Sequence, residues 1–109
     1  MSKQFKKKVE LYHGTTYENA MSILKNGSDE LFVTTNKERA LTYGDVLIKK
    51  EQIISFDNRK DLYYFNKKMK SDFIDGIIQL EKNKFVITII NGEEEITYFM
   101  CPIIEVWNN

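Results

Sequence analysis

Cysteine, histidine and proline each occur once in this 109-residue chain, as Cys101, His13 and Pro102. A single cysteine excludes an internal disulfide framework and a zinc site built on several thiolates. A single histidine leaves little for other metal chemistry, so no metal is expected. Alanine occurs only twice, at Ala20 and Ala40. The five glycines form neither a dinucleotide fingerprint nor a phosphate-binding loop. There is no Gly-x-Ser-x-Gly elbow and no His-Glu-x-x-His pair. No apolar run approaches the roughly 18 residues of a membrane span. Residues 1–9 carry lysines but no apolar stretch of a secretory signal. A reducing, cytoplasmic setting without a membrane is therefore expected. Sixteen Lys and Arg balance sixteen Asp and Glu, which argues against attachment to nucleic acid by bulk positive charge.

What remains suits one domain, with residues 1–8 as a basic, flexible arm and residues 9–109 as the folded part. Val9 to Tyr12 alternates and predicts a strand. Thr15-Thr16-Tyr17-Glu18 fits a capping box opening a helix that Gly27 closes. Leu31 to Thr34 predicts a second strand. Thr35-Asn36-Lys37-Glu38 predicts a second capped helix, ending near Tyr43-Gly44. Val46 to Ile48, Gln52 to Phe56, Gly76 to Leu80, Phe85 to Ile90 and Ile96 to Met100 are β-rich, and Ile103 to Trp107 suits a last strand. Asp61 to Lys70 fits a helix through Leu62, Phe65 and Met69, or a strand through Tyr63-Tyr64-Phe65. Asn91-Gly92 signals a tight turn. Cys101, flanked by apolar residues, reads as a small buried side chain. The order predicts an α+β domain with a split, mainly antiparallel sheet and two or three short helices.

Three segments carry possible chemistry. His13-Gly14-Thr15 ends a strand just before a helix, where an imidazole can face a cleft and a glycine lets a ligand approach the backbone. Phe32 and Tyr43 lie eleven positions apart, across a strand and a short helix, and two such rings can hold a flat ligand between them. Glu93-Glu94-Glu95 precedes the late strand Ile96-Thr97-Tyr98-Phe99. Together these segments resemble the ADP-ribosyltransferase family, in the branch of diphtheria toxin and the poly(ADP-ribose) polymerases. The resemblance rests on Tyr12-His13-Gly14-Thr15, Ile23 with Gly27, and Phe32, Thr34, Asn36-Lys37, Ala40 and Tyr43. It covers residues 11–44, with Glu95 as a looser match. Asp75-Gly76-Ile77-Ile78 also looks like a strand that the family places before its glutamate.

The resemblance implies NAD as the substrate, bound in the cleft of the split sheet. His13 would bond the ribose or adenosine side, and Gly14 would meet the nicotinamide carboxamide. Phe32 and Tyr43 would sandwich the nicotinamide, and Thr15 and Thr34 would line the site, with Thr34 or Thr35 adding a hydroxyl contact. Glu95 would bond the nicotinamide-ribose 2′-hydroxyl and offset positive charge as the glycosidic bond breaks. Glu93 shares its strand face and Glu94 points the other way, so all three glutamates stay candidates. The implied activity is mono-ADP-ribosyl transfer to a macromolecular acceptor, a protein rather than a nucleic acid, by a monomer or small oligomer. A non-catalytic binder of phage or plasmid type, or an NAD glycohydrolase, are the alternatives. An RNA 2′-phosphotransferase fits less well, because too few arginines accompany the histidine.

Plainer readings of the same residues exist. Phe32 and Tyr43 also suit a core, Thr15 and Thr35 are explained as caps, and the three glutamates as a solvated turn. Arg59, Lys60, Lys67, Lys68 and Lys70 form a basic stretch, while the last eighteen residues carry four glutamates and no cation.

Overall fold

Lys6, Lys7 and Lys8 are strand residues. In the computed structural model, which describes residues 5–101, β1 (Phe5–Thr15) pairs along its whole length with β3 (Val46–Phe56). Lys6, Lys7 and Lys8 stand opposite Ser55, Ile54 and Ile53, so residues 5–8 of the expected arm belong to the sheet. The remaining elements are α1 (Tyr17–Asn26), β2 (Ser28–Thr34), α2 (Lys37–Leu41), α3 (Arg59–Ser71), β4 (Asp75–Leu80), β5 (Phe85–Asn91) and β6 (Glu94–Met100). The expected strand Ile103 to Trp107 lies outside the described residues.

Both early helices start one residue later than their capping motifs suggest. Thr16, not Thr15, caps α1, its hydroxyl accepting from the Asn19 N–H at 3.2 Å. Asn36, not Thr35, caps α2, its side chain accepting from the Arg39 N–H at 3.0 Å. Thr15 is drawn into β1 and Thr35 into a contact with the β4 approach, so neither is free to cap. Gly27 closes α1 by donating its N–H to the Ile23 carbonyl at 2.7 Å. Its φ of +74° and the Leu80 carbonyl oxygen, 2.2 Å from where a Cβ would sit, both require glycine there. The ambiguous stretch Asp61 to Lys70 is helix, because Leu62, Phe65 and Met69 form one half-buried stripe at 3.6 residues per turn.

The strands form one antiparallel sheet in the order β4-β2-β1-β3-β5-β6, giving an α+β domain with three helices. Asn91 pairs with Glu94, so the β5–β6 hairpin turns on Gly92 and Glu93 rather than on Asn91-Gly92. Gly92 has φ +64°, which meets the type II′ demand for glycine at the first turn position. Cys101, expected to be buried, is exposed, because ladder pairing stops at Met100 opposite Phe85.

Two cores flank the sheet. Ala20 of α1 packs with Leu31, Val33, Val46, Ile48, Leu80, Phe85, Ile87 and Ile89 on one face. Ala40 of α2 packs with Leu47 and Ile90, and half-buried Tyr12, on the other. Val46, Leu47 and Ile48 are consecutively buried because β3 is covered there on both faces. Burying a side chain such as Leu47 or Ile48 stabilises the fold by about 1.5–3 kcal/mol each. The two alanines of the chain are both almost fully buried, where a small side chain lets a helix lie close to the sheet.

Candidate functional site

The site begins where β1 and β2 part. These strands share one bridge, Tyr12 opposite Thr34. Beyond it their backbones diverge, and a cavity of about 800 Å³ opens beside the split. That is within the roughly 300–1,000 Å³ of small-molecule sites. His13, Gly14 and Thr15 line it from β1, Phe32 and Thr34 from β2, and Arg39 and Tyr43 from α2 and the turn after it.

His13 ties the diverging strands together. Its Nδ1 lies 2.6 Å from the Phe32 carbonyl oxygen. A carbonyl only accepts, so Nδ1 carries a proton and the neutral ring keeps Nε2 as its acceptor. Phe32 and Tyr43 are both 68% exposed although they flank a concave surface. They are thus not core aromatics, and their rings are available to a ligand.

Gly14 has a structural reason that its motif does not suggest. A Cβ there would sit 1.7 Å from the Ala40 carbonyl oxygen. Gly44 meets the Thr15 carbonyl in the same way, with 2.3 Å to a hypothetical Cβ. The two glycines let α2 and its exit turn lie directly on the end of β1, which brings Arg39 and Tyr43 over His13 and Thr15.

The carboxylate in the cavity is Asp75. It opens β4 directly opposite Thr34. Thr35 fixes this placement: its N–H donates to the Ile74 carbonyl at 3.0 Å, and its hydroxyl accepts from the Ile74 N–H at 2.9 Å. Arg39 then grips Asp75 at two points, Nε to Oδ1 at 3.2 Å and Nη2 to Oδ2 at 3.0 Å. The guanidinium also lies 4.8 Å from the Phe73 ring centre. The Thr34 hydroxyl and the Arg39 guanidinium hold the Asp75 carboxyl below its ordinary value, so it is ionised at neutral pH.

Glu95 lies elsewhere. In register it continues the row Gly14, Leu47, Ile90, Glu95 across four strands. At about 4.8 Å per strand that is roughly 14 Å from Gly14. Its carboxylate is 4.0 Å from Lys49, which is also 4.0 Å from Glu10. Glu10 accepts from the Tyr12 hydroxyl at 2.7 Å. Burial first, then this hydrogen bond and the charges of Glu10 and Glu95, push the Tyr12 phenol up to about 12. Glu93 falls in the hairpin turn and Glu94 pairs with Asn91, so no member of the acidic run lines the cavity.

Of the residues picked from the sequence, the fold gathers His13, Gly14, Thr15, Phe32, Thr34 and Tyr43, and leaves Glu95 apart. Sequence reasoning passed over Arg39, Asp75 and Asn19 as lining residues. Arg39 had a usable signal, since it follows the Asn36 cap by three residues on the helix that leads into Tyr43. Among the described residues no three His, Cys, Asp or Glu side chains gather as a metal site. No helix there is long and apolar enough to cross a membrane. Comparison with known proteins adds nothing to these observations: no family model, no curated protein and no solved structure matches the chain.

Proposed function

We propose that the protein is a small mono-ADP-ribosyltransferase, which moves ADP-ribose from NAD to a macromolecular acceptor and releases nicotinamide. The observation that carries this reading is the pair of exposed rings, Phe32 and Tyr43, on a cavity walled by His13-Gly14-Thr15. Nicotinamide is the flat group for those rings. His13 Nε2 accepts from a ribose hydroxyl, with its orientation set by the bond to Phe32. Asp75 takes the part that the acidic run first suggested for Glu95. Its ionised carboxylate faces the positive charge that develops on the ribose as the glycosidic bond breaks, and such a group is worth about 10²–10³ in rate. Thr34 and Arg39 hold that charge in place. A reducing, cytoplasmic setting suits the single thiol.

A second reading has its own support. Asp75 is gripped at both oxygens by Arg39, and among the described residues no other carboxylate lines the cavity. A protein that binds NAD without turning it over would look the same. The test is calorimetric titration with NAD, followed by assay of nicotinamide release with and without a cell extract as acceptor. Binding, release and label transfer support the transferase. Binding without release leaves the non-catalytic binder, and free ADP-ribose without acceptor marks a hydrolase. Absence of NAD binding overturns both readings of the cavity.

A further inference from the structure

A second feature stands apart from the cavity. Helix α3 has no buried residue. At 3.6 residues per turn, its half-buried side chains Leu62, Phe65, Asn66 and Met69 form one stripe. Phe65 packs against Phe56 of β3 with tilted rings 5.2 Å apart, and Arg59 lies 5.6 Å from the Phe5 ring of β1. The opposite arc carries, in angular order, Lys70, Tyr63, Lys67, Lys60, Ser71, Tyr64 and Lys68. Tyr63 is 61% exposed and Tyr64 is 53% exposed, with their rings edge to face at 5.6 Å. Lys60 lies 6.0 Å from the Tyr64 ring centre. None of Lys60, Lys67, Lys68 and Lys70 joins an ion pair among the described residues. The helix has one acid, Asp61, which borders the arc beside Lys68 and accepts a bond from the Asn58 side-chain N–H.

We infer that this face of α3 binds single-stranded nucleic acid. Lysines set around exposed tyrosines match a strand that presents both phosphates and unstacked bases, and base–aromatic stacking is indifferent to sequence. The whole chain is neutral, but the arc is not, and phosphate contacts depend on local charge. An anionic membrane would want apolar side chains such as Leu, Phe or Trp to insert. Here Leu62, Phe65 and Met69 are turned to the sheet, and the exposed arc offers tyrosines, lysines and Ser71. A duplex keeps its bases stacked and would engage the lysines alone. This inference stands whether or not the cavity turns over NAD.

The test is fluorescence anisotropy of the full chain with a labelled 20-nucleotide oligothymidylate, at about 50 and about 200 mM salt. A duplex of equal length and vesicles of phosphatidylserine and phosphatidylcholine are run alongside. Binding to the single strand is expected to exceed binding to the duplex and the vesicles. Replacing both Tyr63 and Tyr64 with alanine should weaken it by about tenfold or more. Lys60→Gln with Lys67→Gln should reduce the log–log salt slope by about one to two. All four side chains are exposed, and circular dichroism checks that the variants fold. No single-strand binding at the lower salt, affinity unchanged in both double variants, or preferential binding of duplex or vesicles would overturn the inference.

Discussion

Asp75 and Glu95 occupy comparable places in the chain, since one opens β4 and the other sits one residue into β6. They end at opposite edges of the sheet. Asp75 lies beside β2, clasped by Arg39 and Thr34 and open to the cavity. Glu95 lies beside β5, facing Lys49 and the Tyr12 phenol. A carboxylate at a strand start therefore says little until strand order is known. The order β4-β2-β1-β3-β5-β6 carries the fourth strand, not the last, to the split where His13 stands.

The sharpest way to break this comparison is to neutralise each acid in turn. Asp75→Asn should cut nicotinamide release by about 10²–10³, while Glu95→Gln should stay within about twofold of the parent. The reverse pattern would return the catalytic role to the acidic run. Acid titration gives the same contrast in stability. The Asp75 carboxyl is held below its unfolded value, so its contribution is present above about pH 4. It fades as pH falls through the lower folded value. Asp75→Asn should flatten the acid limb of a Tm-against-pH curve.

The glycines on the two sides of the cavity come next. Gly14→Ala drives a Cβ into the Ala40 carbonyl. Both partners are backbone, so a loss of about 3 kcal/mol in urea unfolding is expected. Gly76→Ala meets nothing within 4 Å and should gain about 0.5 kcal/mol through lower chain entropy. Smaller still is the ring pair. Phe32→Ala and Tyr43→Ala should each weaken NAD binding by about tenfold. Both should leave stability within about 0.5 kcal/mol, since the rings are exposed.

The contrast also marks what a sequence discloses. Elements with local signals were readable: the helix ended by Gly27, the alternation in β1, the β5–β6 hairpin. So was the cluster within residues 11–44, because β1, β2 and α2 are near in sequence, β1 and β2 share one bridge, and α2 lies on the end of β1. The role of Asp75 was not readable. It depends on β4 pairing with β2 after a crossover of more than thirty residues, and on Thr35 reaching Ile74, which no local pattern encodes. The buried alanines left only a compositional trace. Two alanines in the chain, each within a helix, were the marks of close helix–sheet contact.

The mildest test concerns what Glu95 does instead. Its charge is the last of the influences on the Tyr12 phenol, after burial and the bond to Glu10. A tyrosine held up to about 12 favours the fold fully below pH 10, and that contribution disappears as pH rises toward 12. Glu95→Gln removes one negative charge near the phenol, so ionisation becomes easier: the phenol should titrate at slightly lower pH, and the alkaline loss of stability should be slightly smaller. Tyr12→Phe removes the group, so this part of the limb should vanish while the Glu10 carboxylate loses its donor. Ultraviolet titration of the phenolates follows the same group directly. An upward shift in Glu95→Gln would mean that the carboxylate does not act on Tyr12 through its charge.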